Sequence, residues 1–230
     1  LLVLVLIFLI FVLFIVYPSI NRYQQVSKMG SDRDEALILA VTNLLHSENP
    51  YKDRTYLGNP ISPLPGSVIL AIPFVLFRAI MFQNIIWLGI LIFIIYRLTK
   101  NKSNIILFTL FLFLNPLIWW EIITASDYLT NSIFYFVFVI LLLSERPSNE
   151  LLENILLTAF GALVLCSRFI FWLPLPLIIL YLWNKKNYSH LKILIASFLL
   201  NLLVIVLSFY LVGPANFSPL HTANFLFFSI

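Results

Sequence analysis

Eight stretches of nearly pure hydrocarbon side chains limit what this chain can become. They cover residues 1–17, 67–77, 85–96, 105–118, 133–144, 155–166, 169–183 and 194–212. A helix needs about 20 apolar residues to cross a bilayer, and these stretches reach or approach that length. A helix also satisfies its own backbone hydrogen bonds where no water can. The expected fold is all-α and polytopic: one transmembrane domain over residues 1–230, with one long polar loop at 18–65. Only 10% of the residues are charged, where a soluble domain carries about 25%. The net charge of +4 fits basic loop residues that set membrane orientation. It gives no reason to expect nucleic acid as a partner; membrane lipids are the expected surroundings. The single cysteine, Cys166, sits inside an apolar run, so neither a disulfide framework nor a metal-binding cysteine pair is available. The chain begins and ends within apolar segments, 1–17 and 225–230, which predicts a piece of a longer protein. No small-residue cleavage pattern precedes Tyr17-Pro18, so the first segment reads as a retained span.

The long loop holds Asp32, Asp34, Glu35, Glu48 and Asp53, half of the 10 acids. Within it, Leu37, Val41, Leu44 and Leu45 recur at helical spacing and predict an amphipathic helix over 34–47. Asp32, followed three residues later by Glu35, has the form of a capping box. Such a helix is expected to lie along the membrane surface, apolar side down. Residues 59–66 (NPISPLPG) are too rich in proline for regular helix.

Charge sorts the other gaps. Arg97, Lys100 and Lys102 flank one, and Lys185, Lys186 and Lys192 another; the positive-inside rule places both in the cytoplasm. The gap at 145–150 then shares their side. The gaps at 121–127, 167–168 and 213–219 face outward, as does the acidic loop. That parity requires 67–82 to be a helix that does not fully cross, re-entrant or interfacial, before the span at 85–96. The outer-face loop and multi-pass pattern point to the plasma membrane.

Read in order, the polar signals are Asp32-Arg33-Asp34-Glu35, then Asn49-Pro50-Tyr51, then 59–66 with Pro63-Leu64-Pro65-Gly66. This order resembles membrane glycosyltransferases of the GT-C fold, nearest to the mannosyltransferases and aminoarabinose or protein-mannosyl transferases that use polyprenyl-phosphate sugars. In those families the first outer loop carries an Asp or Asp-Glu pair, a short helix and a Pro-Pro-Leu-like motif. Asp34-Glu35 matches the pair, and Pro63-Leu64-Pro65 stands at the place of the motif, with its prolines split. Asp127 falls where these enzymes often set a second acid. Cys166-Ser167-Arg168 before Leu173-Pro174-Leu175-Pro176 looks like their later segment, a basic residue ahead of a proline-interrupted helix. The short motifs leave the register of Asp32 against Asp34 open.

The resemblance implies transfer of a sugar, mannose among the options, from a polyprenyl-phosphate carrier to a lipid, glycan or protein acceptor on the outer face. Inverting transfer needs a base to take the acceptor's proton. Asp34 is the first choice, Asp32 the second, with Glu35 supporting. Basic groups stabilise the leaving phosphate, which points to Arg168 first, with Arg33, Arg54 and Arg78 behind it. Asp127 is a further polar contact to substrate. No dissociable cofactor is expected. Some relatives use a divalent metal, but no clear ligand set stands out here. Simpler roles compete with each assignment. Asp32 is a good helix cap, and acids in a first turn favour the helix dipole. Arg168 can snorkel to the interface. Trp119, Trp120 and Trp172 suit an interfacial belt, His46 suits a helix C-terminus, and a lone His221 makes no metal site. The alternative from another class is a multi-pass transporter or lipid flippase.

Overall fold

The structure is a computed structural model that describes residues 2–144, 151–213 and 216–219. The gap at 145–150, His221 and the apolar end at 225–230 lie outside the described residues. Among the described residues the chain is all-helical. In order come α1 (Leu2–Ser27), α2 (Arg33–Leu45), α3 (Pro65–Leu76), α4 (Gln83–Thr99), α5 (Lys102–Phe113), α6 (Pro116–Ile123), α7 (Asp127–Leu143), α8 (Leu151–Leu165), α9 (Leu175–Asn184) and α10 (Tyr188–Val212). Short 3-10 turns at Ile80–Phe82 and Phe169–Trp172 lead into α4 and towards α9.

Among the described residues, two stretches are long and apolar enough to cross a membrane: Ile80–Thr99, and α10 at Tyr188–Val212. The pair α5 and α6 makes a third if its 71° bend is counted as one span. The side chains outside the packed core are themselves apolar, as with Phe77, Leu114 and Leu211, each at least 80% exposed. Water would oppose such a surface; lipid would not.

Several expectations change in detail. The loop does not begin at Pro18, because α1 runs through that proline to Ser27. Proline removes only one donor and leaves the neighbouring turns to hold the helix. The stretch 105–118 is not one helix. Asn115 is extended (φ −84°, ψ 115°), and its side chain accepts from the amide of Leu117, capping α6 with Pro116 in the first turn. A residue before proline disfavours the helical conformation, so the Asn-Pro pair breaks the helix. The stretch at 169–183 likewise opens as a 3-10 turn before α9. The 12 residues of α3 span about 18 Å at 1.5 Å per residue, well short of a bilayer core.

Contacts divide the chain into two compact units, Leu1–Ile61 with Ala71–Ile133, and Ser62–Leu70 with Phe134–Ile230. In the first, Leu13, Ile85 and Ile122 form a buried cluster with Phe82, Phe113 and Trp119 packed on it. The indole of Trp119 donates to the carbonyl of Phe113 at 2.7 Å, which occupies its only polar atom. In the second, α8 packs along α10, and a Cβ added to Gly161 would meet Phe138 at 2.3 Å and Ser197 at 2.7 Å. Small residues permit this closeness between membrane helices. Gly66 is tighter still, since a Cβ there would stand 2.0 Å from the carbonyl oxygen of Leu163. The Gly66 amide donates to Cys166 O at 3.2 Å, and the Ser67 hydroxyl to Ser167 O at 3.2 Å. The proline-rich segment thus ends by seating bare backbone against the end of α8.

Candidate functional site

The polar residues of the first unit gather around α2. Its composition favours helix: Ala36, Leu37, Leu39 and Ala40 are good formers, and Asp34 and Glu35 lie in the first turn, where negative charge meets the positive end of the dipole. The buried stripe includes Leu37 and Val41 as expected, and Ala36 and Ala40 beside them. Leu44 and Leu45 are exposed. At the far end a ring nitrogen of His46 lies 2.7 Å from the carbonyl of Thr42. A carbonyl can only accept, so Nδ1 carries the proton and serves the helix C-terminus.

The capping box does not form. Asp32 precedes α2, but its side chain makes no cap hydrogen bond. Its Oδ2 accepts instead from the hydroxyl of Thr55 and from the amide nitrogen of Asn59 at 2.9 Å. Glu35 reaches not back to Asp32 but across to the backbone amide of Tyr56, at 2.6 Å. Asp53 accepts from Asn43 of α2 at 2.9 Å. The Tyr56 hydroxyl donates to Ser31 O at 3.0 Å. A tight turn completes the segment: the Thr55 amide donates to Asn59 O at 3.0 Å, and Gly58 takes a φ of +80° that its lack of a Cβ allows. Three of the five loop acids therefore act as acceptors that lace residues 53–59 back onto α2. A fourth, Glu48, pairs with Lys52 at the surface.

Asp34 is different. It is 1% exposed, and Oδ2 accepts a 2.5 Å hydrogen bond from the hydroxyl of Tyr17 on α1. Oδ1 is buried and accepts no hydrogen bond of normal geometry. Among the described residues no cation pairs with this carboxylate. Burial pushes its pKa up to about 6; the Tyr17 hydroxyl and the backbone amides at the start of α2 pull the other way, and the neighbouring Glu35 charge adds to the rise. Burial likewise raises the Tyr56 phenol to about 12, helped by the nearby charges of Asp34, Asp32 and Glu35.

Arg33, one residue earlier and so about 100° around the helix, points elsewhere. Its guanidinium lies 3.4 Å from Asp127 Oδ1 and 3.4 Å above the centroid of the Tyr128 ring, and also bonds the Tyr128 hydroxyl. Asp127, first residue of α7, is buried and accepts from Asn131 at 2.9 Å. Stacking and a charge pair together hold the guanidinium plane, while 29% of the Arg33 side chain stays exposed. The structure thus joins Arg33 with Asp127, and sets Asp32, Asp34 and Glu35 on one turn but in three separate roles. Arg168 belongs to the second unit, half-buried, extended at φ −154°, immediately before the 3-10 turn Phe169–Trp172.

Sequence reasoning missed Tyr17, Tyr128, Asn131, Thr55 and Asn59. Tyr128 adjoins Asp127 in the chain, Asn131 stands four residues on along the same helix, and Asn59 opens the proline-rich segment; nothing local marks Tyr17 or Thr55. Among the described residues no group of three or more His, Cys, Asp or Glu side chains converges as metal ligands would. The loop acids are directed to separate partners.

The chain matches no family model, no curated protein and no solved structure. Chemically, the first unit offers one desolvated carboxylate, Asp34, and, on the adjacent residue, a guanidinium held by an acid and an aromatic ring.

Proposed function

We propose that the chain is part of a polytopic membrane glycosyltransferase of GT-C type, which moves a sugar from a polyprenyl-phosphate carrier to an acceptor hydroxyl at the outer face. One observation carries the reading: of five acids in the loop, only Asp34 is withdrawn from loop folding, buried, and left with an oxygen that accepts no hydrogen bond of normal geometry. A carboxylate with a pKa near 6 is still ionised at neutral pH and a better proton acceptor than an ordinary one. In the proposed step Asp34 Oδ1 takes the acceptor's proton, and the acceptor oxygen bonds to the anomeric carbon. The bond from that carbon to the phosphate oxygen breaks, and the polyprenyl phosphate leaves with the electron pair. Arg33 is the proposed partner of the phosphate charge. Because Asp34 is 1% exposed, the acceptor meets it only in a state more open than this one. Mid-length apolar helices and a lipid-like surface support a site beside hydrocarbon, where a polyprenyl donor resides.

The test is transfer of radiolabelled sugar from a polyprenyl-phosphate donor by the full-length protein in membranes. Asp34→Asn keeps the shape but not the basicity, and is expected to lose about 10²–10⁴-fold in turnover. Wild-type turnover in that variant would reject the base assignment.

A second reading, a transporter or flippase, draws on Asn201. It lies midway along α10, is fully buried, and neither amide atom has a hydrogen-bond partner among the described residues. Polar groups at such depth are costly. Loss of substrate movement across vesicles in Asn201→Leu, with no sugar transfer by the wild type, would favour this reading.

A further inference from the structure

We infer that Tyr17 is the positioning residue of Asp34: its hydroxyl occupies Oδ2 and so leaves Oδ1 as the oxygen that exchanges a proton. This rests on the reading of Asp34 as a base. A lone carboxylate offers two equivalent oxygens and rotates between them. Here the equivalence is broken by a 2.5 Å bond between two buried groups on different helices, while Oδ1 stays without a well-formed bond. Tyr17 is the last residue of the first apolar stretch and is 8% exposed, so its ring is fixed by packing.

The other ionisable groups near Asp34 are few. Glu35 follows it on α2 and Tyr56 stands in the loop, and both interact with it. The 3-10 turn Ile80–Phe82 also packs on α2 and brings no ionisable side chain. Arg33 is engaged with Asp127. Tyr17 is thus the side-chain donor to this carboxylate, beside the backbone amides of Asp34 and Glu35, and a donor to the carboxylate favours its charged form. Without the phenol, desolvation and the Glu35 charge act with less opposition, and the acid holds its proton to higher pH.

The experiment reads Asp34 directly. Full-length protein in lipid nanodiscs is titrated by infrared spectroscopy, and the Asp34 carboxyl band is identified by its loss in Asp34→Asn. The midpoint in the parent protein is expected near 6 and shifts upward in Tyr17→Phe. Incorporating 3-fluorotyrosine at position 17, a stronger donor of nearly the same shape, returns it to the parent value or below. The acidic limb of kcat/KM for sugar transfer moves in the same directions. An unchanged midpoint in Tyr17→Phe overturns the inference; should that variant fail to fold, an unchanged midpoint with 3-fluorotyrosine does so. The two proposals fail separately. A midpoint that moves in a protein with no transfer activity keeps the Tyr17 pairing and removes the glycosyltransferase reading. An inactive Asp34→Asn with an unmoved midpoint in Tyr17→Phe does the reverse.

Discussion

Neighbouring carboxylates on one helical turn have different fates here, and distance along the chain explains why. Asp32 is met by Thr55 and Asn59, 23 and 27 residues away; Asp34 is met by Tyr17, 17 residues back; Arg33 is met by Asp127, 94 residues on. Local sequence marks Asp32 as a cap, and it would cap well. Two donors from a distant turn claimed its oxygen instead. The acid positions were legible in the sequence, but their roles were not, because each role is set by a partner that no local pattern announces.

Asp34 also makes a prediction about stability. Its folded pKa of about 6 stands above the ordinary 3.8, so between those values the folded chain binds more protons than the unfolded one. Stability from this group is therefore full below about pH 4 and is lost as pH rises through 6. The two-unit difference amounts to about 3 kcal/mol at most. Asn carries no charge to desolvate, and its carbonyl can still accept from Tyr17. Asp34→Asn should therefore exceed the parent in stability by about 1–3 kcal/mol at pH 7.5, with the gap closing at pH 4. Thermal unfolding in detergent at both values checks this. A variant no more stable at pH 7.5 would show that the carboxylate is not strained. A residue that destabilises its own fold is the kind that function retains.

Among the elements, those with strong periodicity came out close to expectation. The helix expected at 34–47 is α2 at Arg33–Leu45; the helix expected over 67–82 ends earlier, as α3 at Pro65–Leu76, and Ile80–Phe82 opens the next apolar stretch instead. The breaks were harder to see. Asn115-Pro116 carries the residues of a helix stop, yet hydrophobicity runs straight through it, so the apolar signal outweighed the backbone one. Glycines separate packing from propensity. A Cβ at Gly66 meets backbone at 2.0 Å, whereas at Gly89, inside α4, it meets nothing within 4 Å. Gly66→Ala should destabilise by about 2 kcal/mol or more, since backbone cannot step aside like a flexible side chain. Gly89→Ala should be neutral or stabilising by about 0.5–1 kcal/mol. Melting temperatures of the two variants in detergent decide it; equal effects would mean that the 62–70 segment is not seated on α8.

For the whole molecule, composition made the all-helical architecture legible and length did not make the crossings so. Several helices have only 10–17 residues, and hydropathy alone cannot say which of these span. Charge asymmetry makes the stronger prediction. Arg97, Lys100 and Lys102, with Lys185, Lys186 and Lys192, should lie on one side, and the loop from Asp32 to Asp53 with Asp127 on the other. Cysteines placed at Asn101 and at Lys52 in a Cys166→Ser background should label from opposite faces of sealed vesicles. Labelling of both from the same face would defeat this arrangement.

The seat of Gly66 and Ser67 also has a history in time. Ser67 and its acceptor at Ser167 are 100 residues apart. A ribosome adding about 5–20 residues per second makes the second roughly 5–20 s after the first. During that interval the segment at 62–70 is already made, with its bare glycine backbone and serine hydroxyl waiting for a surface that has not been synthesised. Its prolines suit that wait, because they keep it from joining a longer helix before its proper neighbour emerges. The same few residues therefore offer a chaperone, or an error in insertion, a long interval in which to act.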